Sequence, residues 1–337
     1  MRLINTRTFE LTQFDNPASI PPYAILSHTW SEDRDGEVTF QQFTTLSHET
    51  LAQGASKQGF TKIQQTCRLA RERDLGWAWV DTCCIDKTSS AELTEAINSM
   101  WRWYVGAEVC FAFLADLELE GKTVVIEAQD EKTKGGTLRM AASVGVVTGL
   151  GRCRWFTRGW TLQELIVPRR LEFYNKDWEF CGEKSSMRMV LSRITSIRPE
   201  VFRRTNLVPT LSVAERMSWA ATRQTRHTED TAYCLLGIFG VNMPLLYGEG
   251  EKAFARLQEE IIKESNDMSL FAWRMTPEQS ARQTHWGIFA PSPREFAECD
   301  GIDALVDPMH RNECAITSKG LRVTPVPGGL QGVASRL

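Results

Sequence analysis

The chain has 337 residues, which at roughly 150 residues per domain predicts about two domains. Apolar residues make up 42% and charged residues 24%, a composition typical of a globular protein with a large core. The 39 Lys and Arg residues face 42 Asp and Glu residues, for a net charge of −3. This balance gives no reason to expect nucleic acid or an anionic membrane as a partner.

The sequence has no run approaching the ~20 apolar residues of a membrane helix. Its first stretch, MRLINTRTFELTQF, carries charges where a signal peptide needs a continuous apolar segment. We therefore expect a cytoplasmic protein without a membrane span, although a nuclear protein without a signal sequence would look the same.

The nine cysteines form no Cys-x-x-Cys pair, and the five histidines lack the spacing of metal ligands. Cys83 and Cys84 are adjacent, which suits neither a zinc knuckle nor an unstrained disulfide. We expect reduced, mostly buried thiols and no bound metal.

Short apolar runs alternate with amphipathic stretches in the first half of the chain. Apolar residues at helical spacing between 60 and 70 predict one helix, and a Ser89-x-x-Glu92 capping box precedes a second. In chain order the predicted elements are a strand at 23–27, a helix at 61–73, a strand at 77–81, a helix at 91–104 and a strand at 109–114. This alternation predicts an α/β fold with a parallel sheet flanked by helices.

The second half is predicted to be mostly helical. A Gly-rich, charged stretch at 118–152 is interpreted as a surface insertion, and a short helix and a strand at 171–174 complete the first domain, 1–182. A helical extension at 183–290 is expected to pack on that domain. The tail at 291–337 contains strand-like pieces such as LRVTPV, and we expect either a natural end or a cut through a longer protein.

Polar residues follow the predicted strands at their carboxyl ends, where ligands bind in parallel α/β sheets. Ser27, Asp81 and Asp116 are therefore expected to share one cleft. The sequence lacks a P-loop, a G-x-S-x-G elbow and a G-x-G-x-x-G fingerprint. A hydrolase that pairs Cys83 or Cys84 with His28 is a further hypothesis, although no neighbouring group is evident that would activate the thiol.

Three blocks together resemble the fungal heterokaryon-incompatibility (HET) domain. They are YAILSHTW, then WAWVDTCCIDK with the E-x-x-x-A-I-x-x-M-x-x-W-Y helix, then WFTRGWTLQEL. The resemblance covers roughly 23–180, and AYCLLGIFGVNMPLLYGEGEKAFARLQEEI is similar to the region that commonly follows the domain. Two positions depart from the usual pattern, since the family often has Gln at Lys87 and Tyr at His28.

The resemblance implies a role in fungal incompatibility cell death and a TIR-like sheet. WTLQEL is similar to the W-C-x-x-E-L of TIR domains, whose glutamate cleaves NAD⁺, so Glu164 becomes the catalytic candidate. Breaking the nicotinamide–ribose bond passes through an oxocarbenium-like state that a carboxylate stabilises. NAD⁺ would be a substrate, with no resident cofactor, and its expected contacts are Ser27, His28, Trp30, Asp81, Arg158 and Trp160.

Other interpretations stay open. Glu164 on an amphipathic helix is often a solvated or salt-bridged side chain, Arg158 is equally able to pair with a carboxylate, and Trp160 to pack in the core. The domain would then be a non-enzymatic signalling module that works by homotypic contacts, and self-association is expected in either case. A third possibility places recognition of an unknown incompatibility partner in the helical extension.

Overall fold

A computed structural model describes residues 1–33, 36–45, 57–118, 149–275, 287–304, 314–317 and 320–323. The chain divides into two compact units, Met1–Thr205 and Asn206–Leu337. The first unit therefore extends past the boundary after residue 182 that the sequence suggested. Most of the expected insertion at 118–152 lies outside the described residues.

A seven-stranded mixed sheet forms the centre of the first unit. Its strands are β1 (Arg2–Asn5), β2 (Leu11–Gln13), β3 (Tyr23–His28), β4 (Trp77–Trp79), β5 (Val109–Phe113), β6 (Leu171–Tyr174) and β7 (Phe180–Glu183). The order is β2-β1-β4-β3-β5-β6-β7. The four central strands are parallel, whereas β1, β2 and β7 pair antiparallel at the edges. The predicted α/β class is confirmed, with a sheet that is parallel only in its centre.

The central strands were predictable because their residues are apolar on both faces. Every residue of β3, β5 and β6 is buried, as expected for strands covered by helices on two sides. The edge strand β7 includes Gly182 at φ +147°, where an added Cβ would lie 2.6 Å from the sulfur of Met187. Glycine is needed there for both the backbone conformation and the close packing.

Helices cover both faces of this sheet. They are α1 (Phe40–Thr45), α2 (Gln58–Arg71), α3 (Asp81–Cys84), α4 (Ser90–Gly106), α5 (Thr161–Ile166) and α6 (Lys184–Thr195). The expected Ser89 cap of α4 is present, since its hydroxyl accepts from the backbone NH of Glu92 at 3.3 Å. The predicted strand at 77–81 is too long, because Asp81 opens the short helix α3.

The second unit contains four short to medium helices and a hairpin among its described residues. These are α7 (Val213–Ser218), α8 (Asp230–Tyr233), α9 (Leu236–Phe239), α10 (Lys252–Glu264), β8 (Cys314–Thr317) and β9 (Gly320–Val323). α10 packs against α8 and β8. The predicted helical region contains α8 and α9 as two separate short helices. The LRV segment of the tail lies in β9 as expected. No helix in the described ranges is long and apolar enough to cross a membrane.

Burial of thiols makes the first unit sensitive to alkaline pH. Burial raises the pKa of the Cys67 thiol to about 12, with a smaller opposing contribution from Arg71. The unfolded chain releases this proton near pH 9, whereas the folded protein retains it. Stability from this group is therefore complete below pH 9 and falls as pH rises towards 12, by about 1.4 kcal/mol per pH unit.

We expect Cys67→Ala to be less stable than the wild type at pH 8, because it leaves a cavity, but to lose stability less steeply above pH 9. Urea unfolding under reducing conditions at several pH values measures both slopes. Equal slopes for the two proteins would contradict a retained proton on Cys67.

Candidate functional site

The carboxyl ends of the parallel strands meet at a topological switch point. The parallel strands follow the order second, first, third, fourth, so β4 lies on one side of β3, and the chain then crosses to form β5 on the other side. Ligands bind outside this point in doubly wound sheets. β3 ends there with Ser27 and His28, whose side chains point to opposite faces because successive strand residues alternate. The candidate site is therefore built on two faces.

On the first face, Glu164 of α5 lies against the end of β3. The Ser27 hydroxyl donates a hydrogen bond to the Glu164 carboxylate and accepts one from the Trp155 indole NH at 2.8 Å. Ser27 and Trp155 are fully buried, and Glu164 is only 7% exposed. The polar chain Trp155–Ser27–Glu164 thus fixes the carboxylate within an apolar environment.

Two more ionisable groups surround this carboxylate. The Tyr104 hydroxyl donates to the backbone oxygen of Leu26 at 3.1 Å. Burial, followed by the charge of Glu164, raises the pKa of Tyr104 well above its ordinary value and does the same to Cys110. Both groups therefore stay neutral at physiological pH, and Tyr104 presents a hydroxyl to the Glu164 side of the site.

On the second face, His28 lies between two charged side chains. Its Nε2 atom is 3.0 Å from Asp81 Oδ1, and its Nδ1 atom is 3.1 Å from the ammonium of Lys62 on α2. Lys62 also donates to the backbone oxygen of Thr29 at 3.1 Å and to Glu37 at 2.5 Å. These contacts tie the start of α2 to the turn that follows β3.

The Asp81 carboxylate accepts hydrogen bonds from Trp30 and from a neighbouring lysine. Its Oδ2 atom accepts from the Trp30 indole NH at 2.8 Å and from the Lys87 ammonium at 3.2 Å. Burial alone would raise the pKa of Asp81, but the charge of Lys87 and the hydrogen bond from His28 hold it well below its ordinary value. The Lys87 ammonium also lies 3.6 Å from the centre of the Trp30 ring, which is 38% exposed. Trp30 is thus a partly exposed aromatic surface fixed by a carboxylate and a cation.

Arg154 marks the rim of the site and was not singled out from the sequence. Its guanidinium donates to the Trp30 backbone oxygen at 2.5 Å and to Glu32 at 2.6 Å. Its backbone NH donates to Asp116 at 2.7 Å. Ser27 and Asp81 therefore lie at the same edge of the sheet as Asp116, in the region where a shared cleft was predicted.

The other predicted contacts lie where the chain enters α5. Arg158 follows a 3₁₀ turn at Arg154–Thr157, and Trp160 directly precedes α5; both are half-buried. The Thr161 hydroxyl donates to the Arg158 backbone oxygen at 2.9 Å and so fixes this entry. Their expected contacts with a substrate stay predictions.

The thiol hypothesis gains no support from the geometry. Burial raises the pKa of Cys83 well above its ordinary value, so this thiol is a poor nucleophile. Cys83 points to the backbone oxygen of Val80 at 3.8 Å, and both nitrogens of His28 face Asp81 and Lys62. Eight cysteines of the described ranges are buried with free thiols, and those ranges contain no cluster of three potential metal ligands.

Ser27→Ala is expected to destabilise the protein by about 1–3 kcal/mol, because it removes the hydroxyl that donates to Glu164 and the oxygen that accepts from Trp155. Thr66→Val is the control, since the buried Thr66 hydroxyl donates only to Lys62 O within its own helix and should cost less than about 1 kcal/mol. Chemical denaturation measures both variants. Equal losses would show that the Ser27 bridge contributes no more than a local helix bond.

The fold and the two-faced site define an α/β protein with an acidic group at the switch point, and comparisons with known proteins give its family. Residues 23–164 match the family described as Heterokaryon incompatibility protein (HET). Residues 252–286 match a domain of unknown function, DUF8212. The chain therefore belongs to the HET-domain family, and Glu164 is the last residue of the match.

The vegetative incompatibility protein HET-E-1 of Podospora anserina is 40% identical to this chain over 248 residues. The matched stretch covers 73% of this chain and 16% of that protein. The chain thus spans about a sixth of the length of the curated relative it matches. No solved structure matches the chain.

Proposed function

We propose that this protein is a cell-death effector of vegetative incompatibility, and that its first unit hydrolyses NAD⁺ after self-association in the cytoplasm. The biological part is supported by the HET match and by the incompatibility protein that shares 40% of its residues over the matched stretch. The chemical part is supported mainly by one observation, the Glu164 carboxylate held at the switch point by Ser27.

The reaction needs few protein groups. Cleavage of the nicotinamide–ribose bond releases neutral nicotinamide, because its ring nitrogen takes the bonding electron pair and loses its positive charge. Water then adds to the ribose carbon and loses a proton, which gives ADP-ribose. The leaving group needs no general acid, so a single carboxylate next to the ribose suffices to stabilise the positive charge that develops there.

The surroundings of Glu164 suit this task. Its carboxylate is 7% exposed, and a charge in such an environment acts more strongly than one in water. The Ser27 hydroxyl donates to the carboxylate and is itself held by the Trp155 indole NH, so an uncharged chain of hydrogen bonds orients it. An oriented charge that needs no rearrangement during the reaction is the arrangement that favours catalysis.

The second face offers groups for the rest of the dinucleotide. Trp30 is 38% exposed and can stack on a base, while His28 and Asp81 hold it in place. Lys87 and Arg154 are half-buried cations that both contact Trp30, and either can pair with the pyrophosphate. In this proposal Trp160 supports the entry into α5 and does not contact the substrate.

A second function is supported by the same low exposure of Glu164. A carboxylate with hydroxyl partners in the interior also stabilises a fold without any chemistry. The HET domain would then be a non-enzymatic module that signals cell death through homotypic contacts. The two functions predict different fates for cellular NAD⁺.

Expression in a filamentous fungus separates them. The wild-type chain is expected to kill cells and to deplete NAD⁺ before viability falls, whereas a protein with Glu164→Gln accumulates to the same level and does neither. Death with unchanged NAD⁺ would contradict the enzymatic proposal and favour the signalling module. Survival of cells that accumulate the folded wild-type chain would contradict the effector role itself.

A further inference from the structure

Lys62 is a buried cation whose three protons are matched by three acceptors. It is 2% exposed, and its ammonium lies 3.1 Å from His28 Nδ1, 3.1 Å from the Thr29 backbone oxygen and 2.5 Å from Glu37. A Lys ammonium has three donors and no acceptor. An ammonium so fully enclosed carries a large desolvation cost, which a methionine or leucine at this position would avoid. Packing alone therefore does not explain why a lysine stands at position 62.

We propose that Lys62 is a positioning residue that fixes His28 as the Nε2–H tautomer and thereby orients Asp81, Trp30 and Lys87 as one substrate platform. Only the last step, substrate binding on the platform, rests on the function proposed above. The first steps concern the folded protein alone.

Each hydrogen bond in this cluster determines the donor or acceptor role of the next group, starting from Lys62. Because the ammonium donates, His28 Nδ1 must accept, so the ring proton lies on Nε2 and is donated to Asp81 Oδ1. With Oδ1 occupied, Oδ2 accepts from the Trp30 indole NH and from Lys87. In the opposite tautomer a ring NH would face the ammonium and a lone pair would face the carboxylate, which is unfavourable at both ends.

The charged side chains around the platform form two ion pairs, which hold its groups in place. Glu37 and Lys62 form a buried pair, and Asp81 and Lys87 form a second pair nearer the surface. His28 connects the two pairs through its two ring nitrogens. Glu37 accepts from the Ser31 backbone NH at 2.8 Å, so the same cluster also holds the turn that carries Trp30. Among the described residues, the second carboxylate oxygen of Glu37 is buried and lacks a hydrogen-bond partner. Lys62 and Glu37 together hold the turn that carries Trp30, through Thr29 and Ser31.

Nitrogen-15 NMR of histidine-labelled protein tests the tautomer directly. The chain has five histidines, and His28→Gln assigns the relevant signals. The wild type is expected to show a protonated Nε2 and an unprotonated Nδ1 for His28. Lys62→Met is expected to lose this single-tautomer pattern, whereas Lys62→Arg retains it because a guanidinium also only donates.

Lys184→Met is the matched control. Lys184 is also 2% exposed in the same unit, but its ammonium bonds the backbone oxygens of Ile166 and Pro168. Lys184→Met should leave the His28 pattern unchanged.

In an NAD⁺ turnover assay, Lys62→Met is expected to raise KM about tenfold with kcat within about twofold, since a disordered platform weakens binding more than chemistry.

The outcomes are distinct. A wild-type His28 protonated on Nδ1, or an unchanged pattern in folded Lys62→Met, overturns the proposal, as does an equal shift in Lys184→Met. If Lys62→Met does not fold, the wild-type tautomer and Lys62→Arg still decide. Absence of NAD⁺ turnover in the wild type, with the tautomer results as expected, overturns the proposed function and leaves the Lys62–His28 step intact.

Discussion

Glu164→Gln is expected to lower the rate of nicotinamide release from NAD⁺ by a factor of about 10² to 10³ while the protein remains folded. The amide keeps the shape of the side chain and can still accept from the Ser27 hydroxyl. It removes the negative charge that would stabilise the developing cation on the ribose. Losing one such electrostatic contribution costs about 3–4 kcal/mol in the barrier. Release of nicotinamide by the purified variant, measured beside a thermal melt, checks both parts.

Glu295→Gln provides a closely matched control in the second unit. Glu295 is 4% exposed and accepts from a serine hydroxyl, that of Ser292 at 2.9 Å, as Glu164 accepts from Ser27. The two substitutions should therefore perturb folding to a similar extent, and only Glu164→Gln should reduce turnover. A folded Glu164→Gln protein that works at the wild-type rate would remove this carboxylate from the mechanism.

Trp155→Ala is expected to destabilise the first unit by about 3–5 kcal/mol, enough to lower its melting temperature by about 6–20 °C. The indole is fully buried and packs edge-on against Phe156 and Phe173, with ring centres 4.9 and 5.8 Å away. Truncation leaves a cavity and also removes the NH that donates to Ser27. Calorimetry of the variant measures the loss.

Trp155→Phe and Trp79→Phe separate the hydrogen bond from the packing. Both indoles are fully buried in the first unit, but among the described residues the Trp79 NH has no partner. Trp155→Phe loses volume and a hydrogen bond, whereas Trp79→Phe loses volume and removes an unpaired NH. We expect Trp155→Phe to cost about 1 kcal/mol more than Trp79→Phe. Equal costs would mean that the Trp155–Ser27 bond adds no stability.

The centre of the fold could be predicted because burial leaves a pattern in the sequence. Continuous apolar runs indicate strands, and β3 and β5 are strands in the structure. Apolar residues at helical spacing indicate helices, and α2 and α4 are helices. The edge strands β1, β2 and β7 were missed. Each has only three or four residues, and β2 has no buried residue at all, so no periodicity distinguishes it from a loop.

The residues of the candidate site also fall into those that the sequence could predict and those that it could not. Ser27 and Asp81 were predictable because they lie at the carboxyl ends of strands, and Glu164 was indicated by a family resemblance. Lys62 and Trp155 were not, because their contacts join residues far apart in the chain. Lys62 lies on a helix, where a lysine is usually solvated, and meets His28 34 positions away. Trp155 meets Ser27 128 positions away, and tryptophans in an apolar segment are usually core residues.

In the proposed function, the first unit cleaves NAD⁺ when it self-associates. The most direct test of this function is to incubate the purified chain with NAD⁺ over a wide range of protein concentrations and to measure free nicotinamide. We expect nicotinamide and ADP-ribose in equal amounts, with a rate per protein molecule that rises with protein concentration. A folded, self-associated chain that releases no nicotinamide at any concentration would contradict it.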